Sequence, residues 1–154
     1  MREITFILNG ETRSVNVEPN EILLDLLRDK LGAKSPKCGC DRGDCGACAV
    51  LLNGRSVRSC LIYAIEVEGM EIITLEGISR NKLSELQESF IAFNSFQCGY
   101  CAPGVIITTT ELLQQNPHPD LEEIKEALSG NLCRCTGYKP IFDAILAVTE
   151  KEEK

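Results

Sequence analysis

Lys37-Cys38-Gly39-Cys40-Asp41-Arg42-Gly43-Asp44-Cys45-Gly46-Ala47-Cys48 sets four cysteines and three glycines into twelve residues. Cys40, Cys45 and Cys48 stand in a C-x4-C-x2-C spacing, and Cys60 follows as a further thiol. Four thiolates in two pairs are what a [2Fe–2S] rhomb needs, and a loop this short wraps one only if its backbone bends sharply. Gly39, Gly43 and Gly46 permit such bends and leave N–H groups free to point at sulfur. Hydrogen bonds of that kind stabilise the more negative, reduced cluster and raise its potential. A zinc knuckle is the competing reading. Zinc loops favour paired C-x2-C units, so the longer gap and the glycines favour iron–sulfur.

The flanking sequence is β-rich. Ile4, Phe6 and Leu8 alternate with outward residues, Asn9-Gly10 makes a tight turn, and Val15 and Val17 continue a second strand. A helix is expected next, with Asn20 as cap, Leu23, Leu26, Leu27 and Leu31 on one face, and Gly32 at its end. Beyond the cysteine loop, Ala49–Leu52, the Asn53-Gly54 turn, Val57–Ile62 and a last strand over 72–75 complete the order of a β-grasp ferredoxin. The cysteine spacing is the plant-type one.

The second half changes period. Leu83, Leu86, Phe90 and Phe93 recur at helical steps. Pro103 can open a helix running through Val105 to Leu113. Asp120 and Glu123 form a capping-box pattern for a third helix, which Gly130 would close, and Pro140 can start a fourth carrying Ile141, Ile145 and Val148. The expected fold is therefore α+β. A β-grasp ferredoxin-like domain (1–76) and a linker (77–82) precede a four-helix bundle (83–154). The bundle holds Cys98-x2-Cys101 and Cys133-x-Cys135, again four thiols. Pro103 and Pro140 place helix N-termini near them, whose partial positive charge favours an anionic centre. On residues alone, zinc stays open for this second set. Cys38 is left over and reads as an inert thiol.

The net charge of −7 argues against a nucleic-acid partner. The N-terminus lacks the long apolar stretch of a signal peptide and no apolar run reaches membrane-spanning length, so a cytoplasmic protein without membrane insertion is expected. In that compartment clustered cysteines bind metal or do redox work rather than form disulfides. A single histidine, His118, excludes a Rieske centre, which needs two; it sits in an Asn-Pro-His-Pro-Asp turn and reads as solvated, which argues against a His-based triad. No phosphate-cradling glycine motif is present, so no nucleotide or flavin site of its own is expected.

The segment 37–48, Ser59-Cys60, Gln97-Cys98-Gly99-Tyr100-Cys101-Ala102-Pro103-Gly104 and Gly130-Asn131-Leu132-Cys133-Arg134-Cys135-Thr136-Gly137-Tyr138 together resemble the small iron–sulfur subunit of the molybdenum hydroxylases, the xanthine dehydrogenase and aldehyde oxidoreductase family. The resemblance implies two [2Fe–2S] clusters, on Cys40, Cys45, Cys48 and Cys60 and on Cys98, Cys101, Cys133 and Cys135. It implies a non-catalytic relay subunit, with molybdopterin on a large partner subunit and FAD on a medium one. Electrons would enter at the helical-domain cluster and leave through the ferredoxin-like one. The complex would oxidise or hydroxylate a heterocycle, an aldehyde or a similar small substrate. Gln97 and Cys135 match positions that contact the pterin. Cys38 and Ala102 depart from the family pattern, in which a non-cysteine residue and a threonine are usual; neither touches the eight expected ligands. A free-standing ferredoxin or redox sensor, and a zinc-stabilised scaffold, are the contrasting functions. The scaffold would be colourless and free of acid-labile sulfide.

Overall fold

A computed structural model describes residues 1–150 of the chain; the last four residues of the expected bundle lie outside them. The first half builds a mixed five-stranded sheet in the order β2-β1-β5-β3-β4. Its strands are β1 (Arg2–Leu8), β2 (Glu11–Val17), β3 (Ala49–Leu52), β4 (Arg55–Arg58) and β5 (Glu71–Ile73). Both hairpins turn on Asn-Gly pairs at positive φ, Asn9 and Gly10 at +52° and +79°, Asn53 and Gly54 at +48° and +80°. That conformation matches the strand twist and explains the sequence choice. β1 pairs in parallel with β5, which closes the grasp around the helical segment. Ile4, Phe6, Leu8 and Val17 bury against Leu23, Leu26, Leu27, Val50 and Ile72.

The helix expected after Asn20 is shorter and less regular. α1 (Leu23–Asp25) passes directly into one π-helical turn, Leu26–Lys30. Asn20 does not cap it. The Leu23 N–H is taken instead by the Ile62 carbonyl at 2.8 Å, a tertiary partner that no local pattern reveals. The fourth expected strand, Val57–Ile62, also stops early. After Arg58 the chain tightens into a 3-10 turn, Ser59–Leu61, because Ser59 bonds back to the Cys48 carbonyl through its hydroxyl at 2.7 Å. The last strand ends at Ile73, and Thr74 is held by Asn9, whose Oδ1 accepts the Thr74 N–H at 2.9 Å. α2 (Leu75–Ile78) then begins where an extended strand end was expected.

The second half folds as α3 (Glu85–Ala92), α4 (Ala102–Gln115), α5 (Leu121–Ala127) and α6 (Lys139–Thr149). Leu86, Phe90, Ile106, Ile124, Ile141 and Ile145 form its core. Leu83 and Phe93, expected on the buried face of α3, are 42% and 43% exposed because the helix ends before reaching either. Ser84 caps α3 and Asp120 caps α5, each in a reciprocal capping box. Gly130 does not close α5, which stops at Ala127. The glycine instead makes room for Arg58, whose Nη2 would lie 2.4 Å from any Cβ placed there. The halves meet where α4 lies on β3, with Ile107 fully buried against Ala49 and Leu51. Among the described residues no helix is long and apolar enough to cross a membrane.

Candidate metal centres

The loop between the π-helical turn and β3 carries Cys40, Cys45 and Cys48, and the 3-10 turn after β4 brings Cys60 to them, so that the four stand as two pairs. Cys45 donates its backbone N–H to the Cys40 sulfur at 3.4 Å, and the two side chains touch. Backbone N–H groups of Arg42 and Cys45 aimed at that sulfur pull the Cys40 thiol down to about 7. Cys45, more enclosed, is held above the ordinary thiol value by burial. Cys48 and Cys60 are the buried pair, and burial followed by the Cys48 side chain pushes Cys60 up to about 12. Gly43 and Gly46 take φ of +87° and +74°, which a side chain rarely adopts. Gly39 takes no such angle. It is glycine because a Cβ there would stand 2.8 Å from the Cys45 sulfur.

The second set repeats the arrangement around the N-terminus of α4 and in the loop before α6. Cys98 and Cys135 face each other with sulfurs 3.6 Å apart, and both are exposed. The Tyr100 N–H and then the Cys135 thiol lower Cys98, while Cys135 is raised by the Cys98 thiol. Cys101 is the N-cap of α4 and touches Cys133; burial and that neighbour push it up to about 12. Burial also opposes ionisation of Cys133, but the Thr136 hydroxyl at 3.1 Å and the N–H groups of Cys135 and Thr136 prevail and lower it. Tyr138 completes the frame: its hydroxyl accepts the Cys133 N–H at 2.8 Å and donates to the Asn131 carbonyl at 3.1 Å. Its own φ of +70° starts α6. Nothing local in the sequence singled out Thr136 or Tyr138 for this work.

The donor set bears on which group it suits. A single zinc ion draws four sulfurs to one point at about 2.3 Å. Among the described residues no three His, Cys, Asp or Glu side chains converge in that way. The thiols stand two and two instead, Cys40/Cys45 with Cys48/Cys60 and Cys98/Cys135 with Cys101/Cys133, which suits a two-iron rhomb taking two cysteines per iron. All nine cysteines are free thiols, as metal ligation requires.

The two sets are joined directly. The Leu132 N–H donates to the Cys45 carbonyl at 2.9 Å, so a single hydrogen bond separates the residue before Cys133 from a residue of the first set. Arg58 reaches across to the Gly130 carbonyl at 2.8 Å, and the Tyr100 hydroxyl donates to the Cys38 carbonyl at 2.6 Å. Gln97 lies at the surface beside the second set, its amide donating to the Cys135 carbonyl at 3.1 Å. The Cys38 thiol is exposed and joins neither set. His118 is solvated in its turn, its backbone N–H bonded to Asn116.

Comparison with known proteins assigns the halves. Residues 6–73 match the 2Fe-2S iron-sulfur cluster binding domain and residues 74–146 the [2Fe-2S] binding domain. The chain is thus a two-domain protein carrying two [2Fe–2S]-binding domains. It is 50% identical over 149 residues to the nicotinate dehydrogenase small FeS subunit of Eubacterium barkeri, covering 96% of this chain and 95% of that one. It is 48% identical to the nicotine 6-hydroxylase small subunit of Paenarthrobacter nicotinovorans, over 94% of this chain and 87% of the relative. The structure of quinoline 2-oxidoreductase from Pseudomonas putida 86 superposes with a TM-score of 0.94 at 44% identity, covering 99% of this chain and 96% of the matched one. The chain belongs to the family of small iron–sulfur subunits of the molybdenum hydroxylases.

Proposed function

We propose that Cys40, Cys45, Cys48 and Cys60 hold one [2Fe–2S] cluster and Cys98, Cys101, Cys133 and Cys135 the other, in units spanning 1–76 and 83–154 joined through 77–82. In this reading the chain relays electrons from a molybdopterin site on a large partner subunit to FAD on a medium one, within the cytoplasm. Each cluster, when bound, takes up and returns one electron at a time. The carrying observation is the paired geometry of both thiol sets together with the Leu132-to-Cys45 hydrogen bond between them.

The residues divide the work. Backbone N–H groups of Arg42, Cys45 and Tyr100, and the Thr136 hydroxyl, point at sulfur and stabilise negative charge there. Burial around Cys48 and Cys60 keeps water from that half of the first set. Exposure of Cys98 and Cys135, with Gln97, Tyr100 and Leu132 beside them, presents the second set to a partner, which supports entry of electrons there, through Gln97 and Cys135. Cys135 thereby serves both as a ligand and as the link towards the pterin. Relatives named for nicotinate, nicotine and quinoline favour a nitrogen heterocycle as the substrate of the complex.

The test is EPR of the dithionite-reduced protein, with iron and sulfide analysis and a pull-down for large and medium partner chains. Two distinct S = ½ signals and both partners are expected. A single signal, or full activity from an isolated monomer, would overturn the reading.

A further inference from the structure

We propose that two contacts between the cluster loops, Gly104 on Gly46 and the Tyr100 hydroxyl on the Cys38 carbonyl, set the separation of the two clusters and so the electronic coupling between them. This rests on the relay reading above. Gly104 lies in the first turn of α4, three residues after Cys101, at an ordinary helical angle, so its backbone would accept alanine. What forbids alanine is proximity. A Cβ on Gly104 would stand 2.2 Å from the Gly46 carbonyl oxygen and 3.3 Å from the Ala47 Cα. Gly46 and Ala47 fall between Cys45 and Cys48, so the helix bearing Cys101 rests on the backbone of the first loop. Real Cβ atoms keep at least 3.0 Å from other atoms, so alanine would drive helix and loop apart by 0.8 Å or more.

The same glycine loop is met from its other side. A Cβ on Gly46 would lie 2.3 Å from the Gly130 carbonyl oxygen and 3.1 Å from the Asn131 Cα, the segment leading into Cys133. Gly46 is therefore clasped between the two segments that carry the second set. Tyr100, between Cys98 and Cys101, ties the outer edge of the clasp by its 2.6 Å bond to Cys38, with the Lys37 ammonium 5.9 Å from its ring centroid.

Gly104 and Tyr100 are positioning residues, and their effect is read in the magnetic interaction of the two reduced clusters. In the full complex, the wild type is expected to show both signals with low-temperature spin–spin splitting. Gly104→Ala and Tyr100→Phe are expected to retain both signals, iron and sulfide while losing part of that splitting, and to equilibrate electrons between clusters more slowly. Should Gly104→Ala fail to take up clusters, Tyr100→Phe, which removes one oxygen and adds nothing, decides alone. Unchanged splitting in the loaded variants, or no splitting in the wild type, overturns the proposal. Absence of a cluster signal in the wild type would instead overturn the relay reading.

Discussion

Replacing Ile107 with alanine tests whether the α4–β3 joint holds the two halves as one unit. Ile107 is fully buried and packs on Ala49 and Leu51, with Ile73 and Ile78 beside them. It sits on the helix that begins just after Cys101 and against the strand that begins just after Cys48. The sheet backbone under it is fixed by pairing with β4 and β5, so the space left by three carbons cannot collapse readily. A buried Ile→Ala change in such a site costs about 3.5 kcal/mol, the middle of the range for large-to-small core changes. At roughly 2–4 °C per kcal/mol for a chain of this size, the melting temperature should fall by about 7–14 °C. The assay is thermal unfolding of the cluster-loaded protein, followed by far-ultraviolet circular dichroism and by bleaching of the visible cluster absorption. Both probes should shift together. A drop below about 2 °C, smaller than a single kcal/mol produces, would refute this joint as the main tie. A shift in only one probe would show that the halves melt independently.

Cys60→Ser should remove one reduced EPR signal and leave the other, and Cys101→Ser should remove the complementary one; loss of both signals in either variant would contradict two separate centres. Asp120→Ala deletes the side chain that caps Glu123 N–H at 2.9 Å and should lower stability by about 1 kcal/mol in thermal unfolding. Burial opposes ionisation of Glu76, but Ser35 and Thr74 hydroxyls and nearby N–H groups outweigh it and hold the carboxyl below its usual range. A lowered folded-state value means stability that is present above the unfolded carboxylate pKa of about 4.3 and lost as pH falls through the folded one. Glu76→Gln should thus narrow its stability deficit against the wild type as pH drops below that window, and a deficit that stays constant with pH would refute this role.

Much of this was legible in the residues because it depends on near neighbours in the chain. Asn-Gly turns at 9–10 and 53–54, the Asp120/Glu123 capping box and the alternation of Ile4, Phe6 and Leu8 are local rules, and each holds in the structure. The start of α1 at Leu23 without an Asn20 cap and the early end of β4 were not legible. Each is decided by a partner distant in sequence, the Ile62 carbonyl for Leu23 and the Cys48 carbonyl for Ser59. The same holds for the glycines: Gly43 and Gly46 obey backbone conformation, whereas Gly39, Gly104 and Gly130 answer to atoms that fold against them.

The candidate centres divide along the same line. Spacing alone brought out Cys40, Cys45 and Cys48 as a set, since a short glycine-rich loop constrains where its thiols can go. It left the second set open between zinc and iron–sulfur, because more than thirty residues separate Cys101 from Cys133 and no local rule sets their distance. Tertiary packing decided the two-and-two pairing, the exposure of Cys98 and Cys135, and the single hydrogen bond from Leu132 to Cys45. The reason is geometric. Residue types and short spacings determine which ligands a chain can offer, while the approach of α4 to β3 determines how near one set of ligands comes to the other.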